Sequence, residues 1–385
     1  MGLIKSVMVV AGEKSGDLHA SGLIMAMKRI DPDVSFRGIG GEQMLQAGAV
    51  IDEDITGIAV VGFFEVLKKY PKFKRVFNRL VAMLKQNRPD VLMLVDFPGF
   101  NLRIAKVAKK LGIPVVYYIS PQVWAWGRHR IKAIARDIDL MMVIFPFEAD
   151  FYKEHGVDSV FVGHPLLDES NEGEREGKCD KRPSDSENRL TVSLLPGSRK
   201  GEVRRNLPVI VKTAEIMMSH NPEMQFLIPC ASDEVRPIIM DIIKKRCFRA
   251  KVVSGKVEET LANSTIALLA SGTVTVQAAL SRVPSVVVYK VNPFTWIIAR
   301  FLVKVPFIAM ANIIAGKSVY PEFLQGKACP EKIAEEAIDL IENRKRREKV
   351  ILELSEIRKK LGGKGAAVCA AESLHKFLRQ GETIS

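Results

Sequence analysis

A rhythm of short apolar runs alternating with helical periods fills the first 168 residues, breaks off in a polar stretch, and starts again at Leu190. Lys5–Ala11 opens it, a valine-rich run without polar alternation, as a strand buried on both faces of a parallel sheet requires. Val34–Ile39, Val91–Val95, Val115–Ile119 and Leu140–Ile144 are further strands. Helical spacing falls between them, beginning with a helix over Leu18–Arg29 that Asp17 or a neighbour would cap. Residues 169–189, ESNEGEREGKCDKRPSDSENR, can bury little and read as a polar linker or surface excursion. Leu190–Leu195, Met224–Ile228, Lys251–Val253, Ile266–Leu269 and Ser285–Tyr289 then resume the strands, and from Pro330 the chain reads as successive helices. The expectation is an α/β protein of two Rossmann-like domains, 1–168 and 190–345, with an interdomain cleft and a helical C-terminus. Helices within 346–385 are free in this reading to pack back on the first domain.

Ligands of such sheets bind beyond the carboxyl ends of the strands, so the loops there carry the functional candidates. After the first strand comes Gly12-Glu13-Lys14-Ser15-Gly16-Asp17, a glycine-bounded loop entering a helix, readable as an anion-binding turn or as a plain turn. Asp96 ends the strand Val91–Val95, where a carboxylate can act as general base or merely cap the next helix. Trp124 and Trp126 stand beside Arg128, His129 and Arg130, a combination suited to sugar rings and phosphates, to nucleic acid, or to packing between domains. In the second half, Ser198 and Arg199 follow a strand at a helix start, and Ser271, Gly272 and Thr273 do the same. Two such loops in one domain suit a diphosphate, although hydroxyls there also serve as caps.

The five cysteines have no metal-ligand spacing, and neither H-E-x-x-H nor clustered histidines occur, so no metal site is expected. With no export signal at its start and no apolar run of membrane-spanning length, the chain is expected to be cytoplasmic, soluble or peripheral. The net charge of +13 favours an anionic partner. Val60–Leu84 combines Val60, Val61, Phe63, Phe64 and Leu67, and then Phe73, Phe77, Leu80, Val81 and Leu84, with interleaved cations that include Lys68 and Lys69. Such a segment either lies in a bilayer interface or packs against the sheet.

Taken together, AGEKSGD from Ala11, GIGGEQM from Gly38, VDFPGFN from Val95, SPQVWAWGRHR from Ser120, PFE from Pro146 and GHPLLD from Gly163 resemble the lipid-A-disaccharide synthase family. LLPGSR, LLASGT, YKVNPFTW from Tyr289 and MANIIAG from Met310 extend the resemblance over nearly the whole chain. It implies an inverting glycosyltransferase of the GT-B class in lipid A and lipopolysaccharide biosynthesis of a Gram-negative bacterium, with no cofactor. The family's reaction joins UDP-2,3-diacylglucosamine to 2,3-diacylglucosamine 1-phosphate (lipid X), giving the β-1,6 disaccharide and UDP. By resemblance Asp96 is the base, and Ser198, Arg199, Ser271, Gly272, Thr273, Gln277 and Asn312 serve the UDP site. Gly12, Ser15 and Gly16 would shape the opposite wall of the cleft. Two positions depart from the family pattern: Gln277 replaces a common glutamate, and Gly99 a frequent second aspartate. The resemblance also favours the interfacial reading of Val60–Leu84, with acyl and membrane contact at Val60, Val61, Phe63, Phe64, Leu67, Lys68 and Lys69. The protein would then sit peripherally on the anionic inner face of the cytoplasmic membrane, with no nucleic-acid partner and an oligomeric state open between monomer and homodimer. The competing readings are another GT-B enzyme acting on UDP-N-acetylglucosamine and an RNA-binding protein.

Overall fold

A computed structural model describes residues 5–56, 63–169, 190–230, 232–255, 257–292, 296 and 305–380, with backbone alone at 63–70 and 169. Val60 and Val61, the side chains of Phe63, Phe64, Leu67, Lys68 and Lys69, and all but the first residue of the polar stretch 169–189 lie outside the described residues. The chain forms two units, Met1–Glu169 with Leu361–Ser385, and Ser170–Lys360.

The first unit is built on a parallel sheet of β1 (Ser6–Ala11), β2 (Ser35–Ile39), β3 (Val50–Glu53), β4 (Val91–Val95), β5 (Val115–Tyr118), β6 (Leu140–Val143) and β7 (Ser159–Phe161). Their spatial order is β3-β2-β1-β4-β5-β6-β7, so the winding reverses between β1 and β4. Helices α1 (Lys14–Ile30), α2 (Glu42–Gln46), α3 (Phe63–Gln86), α4 (Pro98–Lys110), α5 (Ile131–Asp137), α6 (Pro146–Glu154) and α7 (Leu166–Glu169) connect the strands or follow them. The period-2 alternation of strand side chains splits the core in two. Met8, Val10, Leu92, Leu94, Val115 and Tyr117 pack against α3, α4 and α5 on one face. Val7, Val9, Val91, Met93, Val116 and Tyr118 pack on the other against α1 and a C-terminal helix.

The described half of α3 overturns the interfacial reading for its residues. Val76, Leu80 and Leu84 are buried in the sheet core, and Phe73, Phe77 and Val81 pack against it, while Lys72, Lys74, Arg75 and Arg79 stay exposed. The apolar stripe beyond Pro71 is therefore the helix's inward face, because the sheet offers apolar area to cover at that spacing.

The second unit repeats the plan with β8 (Thr191–Leu195), β9 (Gln225–Cys230), β10 (Lys251–Ser254), β11 (Ile266–Leu269), β12 (Ser285–Tyr289) and β13 (Glu322–Leu324), all parallel. Their order is β10-β9-β8-β11-β12-β13, with the reversal between β8 and β11. Among the described residues its α-helices are α8 (Lys200–His220), α9 (Arg236–Lys245), α10 (Val257–Ala262), α11 (Val274–Leu280), α12 (Met310–Ala315), α13 (Pro330–Glu342) and α14 (Arg344–Lys360). The last helix, α15 (Ala366–Gln380), returns to the first unit. There Ala370, Ala371, Leu374 and Leu378 join Ala20, Leu23, Ile24 and Met27 of α1 in one core. Asp168 fixes the start of α15, accepting the amides of Gly365 (2.6 Å), Ala366 (3.2 Å) and Ala367 (3.1 Å).

Candidate functional site

In each unit the motif loops lie on either side of the reversal point, where open α/β sheets present their ligand crevice. In the first unit these are the loop after β1, with Gly12, Ser15 and Gly16, and the loop after β4, with Asp96. Ser15 and Gly16 lie in the first turn of α1, which begins at Lys14, four residues before the expected start. Asp17 does not cap α1. Its buried carboxylate reaches across to α2 and accepts the amides of Gly41 (2.7 Å), Gln43 (3.0 Å) and Met44 (3.2 Å). The AGEKSGD and GIGGEQM segments are thus one structural device.

Asp96 and Phe97 both adopt left-handed backbone, with φ of 47° and 49°. That conformation costs an L-residue roughly 1–2 kcal/mol, so it persists only where the surroundings hold it. Here they do. The Asp96 amide donates to the Tyr118 carbonyl (3.0 Å), and the Asp96 carbonyl accepts from the Tyr117 hydroxyl (2.5 Å) and the Asn101 side-chain amide (2.7 Å). Phe97 is held by rings, with Phe73 at 5.9 Å and Phe100 at 5.8 Å between centroids. A methyl group on Gly12 would come within 2.3 Å of the Phe97 ring, so this glycine is what lets the two loops meet. The N-cap of α4 is Phe97, without a side-chain cap, so the carboxylate of Asp96 is not spent on the helix. Burial and the nearby Glu13 carboxylate push Asp96 up to about 6, partly offset by the Phe97 amide. A carboxyl so placed is mostly ionised near neutrality yet basic enough to accept a proton from a hydroxyl.

Next along the sheet edge, the loop after β5 carries the two tryptophans. Trp124 is buried and donates its indole N–H to Glu148 of the PFE motif (2.8 Å). Glu148, 1% exposed, is raised to about 7 by burial, against the opposing effects of Trp124, Ser120 and the Phe145 and Ile144 amides. Sequence reading did not single out this acid; its place beside a capping position was the available signal.

In the second unit the loops after β8 and β11 flank the reversal. Gly197 has φ of 112°, and Glu202 folds back over it to accept the Ser198 amide (3.2 Å) and approach Arg199 (3.6 Å). The Arg199 side chain remains 63% exposed. A carboxylate therefore occupies donors that suit an anion, which marks the spot and sets a competitor there. Asn206, fully buried and missed from sequence, ties this loop to the YKVNPFTW segment: it donates to the Pro196 carbonyl (3.2 Å) and accepts from the Lys290 amide (2.8 Å). In the other loop Ser271 donates to the Ile308 carbonyl (2.9 Å), Gly272 and Thr273 are exposed at the start of α11, and Gln277 is half-buried one turn further on.

Asn312 does not match the expectation of direct nucleotide contact. Its side chain is wholly buried and fully committed, donating to the Tyr320 carbonyl (2.8 Å) and Glu322 (2.9 Å) and accepting the amides of Val319 (2.9 Å) and Tyr320 (2.8 Å). All four hydrogen-bonding positions of the amide are used inside the protein, so it shapes the loop behind the site. Among the described residues no three His, Cys, Asp or Glu side chains are grouped as a metal site, and no helix is long and apolar enough to cross a membrane.

The family described as lipid-A-disaccharide synthetase matches residues 7–373. A lipid-A-disaccharide synthase of Syntrophus aciditrophicus (strain SB) is 43% identical over 95% of this chain and 96% of its own. One from Myxococcus xanthus (strain DK1622) is 39% identical over 97% and 98%. Among solved structures, the glycotransferase of kitacinnamycin superposes with a TM-score of 0.61 at 16% identity, covering 97% of this chain and 99% of that one. A UDP-GlcNAc 2-epimerase from Neisseria meningitidis does so with a TM-score of 0.58 at 12% identity, covering 97% and 100%. At such identities the structural likeness concerns the fold, two Rossmann-like sheets of the GT-B kind.

Proposed function

The chain belongs to the lipid-A-disaccharide synthase family, and from that membership we infer how its two units divide one transfer reaction. The protein is a UDP-sugar-dependent glycosyltransferase that forms the lipid A disaccharide. In our reading the donor is UDP-2,3-diacylglucosamine and the acceptor 2,3-diacylglucosamine 1-phosphate. Asp96 takes the proton of the acceptor 6-hydroxyl as its oxygen attacks the donor's anomeric carbon. The bond to the diphosphate breaks, its electron pair leaves with UDP, and inversion gives the β-1,6 linkage. Arg199 and the loop at Ser271–Thr273 meet the charge that develops on the leaving diphosphate, displacing Glu202 from the Ser198 amide. Gln277 supplies a neutral hydrogen-bonding group for the donor, and Asn312 supports that site from behind.

The observation that carries this reading is Asp96: a carboxyl raised to about 6, held in strained backbone beside the reversal point, and not used as a helix cap. The exposed Lys72, Lys74 and Arg75 on α3 support a peripheral association with an anionic membrane surface.

The test is a transfer assay followed by mass spectrometry, with and without added divalent metal. Wild-type protein is expected to give disaccharide and UDP in both lanes. Asp96→Asn is expected to lose turnover by at least about 100-fold while still binding UDP. An active Asp96→Asn variant removes Asp96 as the base. No product from wild-type protein, with acyl lengths varied, points to a different UDP-sugar.

A further inference from the structure

The loop of Trp126, Arg128, His129 and Arg130 has no role in the reaction proposed above, yet it presents an exposed aromatic ring beside two arginines. Trp126 is 46% exposed, and the Arg130 guanidinium lies 5.5 Å from its ring centroid. Arg128 and His129 are exposed beside them, and no carboxylate pairs with either arginine among the described residues. The segment just before them is anchored in the fold: Val123, Trp124 and Ala125 are buried, Trp124 is bonded to Glu148 (2.8 Å), and the Tyr152 hydroxyl donates to the Pro121 carbonyl (2.8 Å). An exposed aromatic with attendant cations, mounted on so fixed a base, suits a sugar ring bearing an anion.

Its position adds the second part of the argument. The loop leaves β5, whose Tyr118 pairs in register with Val95 of β4, next to Asp96. The roots of the two loops are joined by the bonds from Tyr117 and Asp96 described above. An acceptor phosphosugar carries its reacting 6-hydroxyl and its anomeric phosphate at opposite ends of one ring. The phosphate is disfavoured at the Asp96 end, where the Glu13 carboxylate already acts on that of Asp96. The neighbouring loop is cationic.

We propose that Trp126, Arg128 and Arg130 form the phosphate end of the acceptor site, with Trp126 as a platform for the sugar ring and the two arginines receiving the anomeric phosphate. The proposal rests on the reaction inferred above.

It is tested by acceptor kinetics in neutral detergent micelles, comparing the phosphate-bearing acceptor with its dephosphorylated form. Arg128→Ala and Arg130→Ala are each expected to raise KM for the phosphorylated acceptor by roughly 10-fold or more, with donor KM unchanged. Their KM for the dephosphorylated acceptor should stay near that of wild type. Trp126→Ala should raise KM for both acceptors. An equal rise for both acceptors in the arginine variants, or a rise in donor KM, overturns the assignment. A defect seen only on vesicles containing anionic phospholipid shows that the loop's anion is a lipid headgroup, which also overturns it. So does polynucleotide retained by wild-type protein and lost in the variants without a change in acceptor kinetics. A wild-type enzyme that makes no disaccharide removes the reaction itself, and is seen before any variant is compared.

Discussion

Replacing Asp96 by asparagine should make the protein more stable at the same time as it stops turnover. The native fold raises this carboxyl from 3.8 to about 6, so its ionised form is disfavoured by about 3 kcal/mol relative to the unfolded chain. For an acid raised on folding, the native state holds the extra proton between the two values. Stability therefore falls as pH climbs from about 4 to about 6 and is level above. The neutral amide of Asp96→Asn escapes this loss. Allowing for the new N–H donors that must find partners, a net gain of about 2 kcal/mol is expected at pH 8. In a unit of this size that is a rise in melting temperature of roughly 4–8 °C. At pH 4, where the wild-type carboxyl is protonated in the fold, the gain should be nearly gone. Urea or thermal unfolding of both proteins at pH 4, 6 and 8 measures it. A variant no more stable than wild type at pH 8, or a gain that does not change with pH, would refute the claim that a strained, desolvated carboxylate is held there.

Three further outcomes follow from the same geometry. Gly12→Ala places a methyl group 2.3 Å from the Phe97 ring, so kcat should drop by about 10-fold or more while UDP affinity, read by calorimetry, is unaltered. Glu148→Ala strips the Trp124 indole and the Phe145 amide of their acceptor, which should cost about 2–4 kcal/mol in urea unfolding. Asn312→Ala removes the side-chain acceptor of the Val319 and Tyr320 amides and the donor to the Tyr320 carbonyl and Glu322, so unfolding should show a loss of about 2–4 kcal/mol. If UDP binding weakens in that variant with stability intact, the residue contacts the nucleotide after all.

The central strands were legible because a run such as Val91–Val95 has to be buried on both faces, and few other structures accept it. The edge strands β3, β7 and β13 escaped the sequence reading. Val50–Glu53 mixes acids with valine and isoleucine at an edge, and Ser159–Phe161 and Glu322–Leu324 are three residues long, too short for a period to register. The inward face of α3 was misjudged because an apolar stripe among lysines looks the same whether sheet or lipid covers it. Asp17 and Asn312 illustrate a different limit. Each is conspicuous in a loop motif, and each is absorbed by backbone amides that the sequence places 24 to 27 residues away for Asp17 and 7 to 8 for Asn312. The position of Asp96 at the end of β4 was legible, but its left-handed backbone was not.

The return of α15 to the first unit sets a timetable for synthesis. The apolar side of α1 precedes the second unit in the chain, but the helix that joins it in one core leaves the ribosome only after the whole of Ser170–Lys360. At roughly 5–20 residues per second, that interval lasts about 10–40 s. Throughout it the part of this core that α15 completes stays open to water or a chaperone, while the second unit, contiguous in the chain, can close first. A nascent chain that stalls or is clipped between Lys360 and Ala366 thus carries a finished second unit and an uncovered first one, a species expected to be cleared by proteolysis rather than to accumulate.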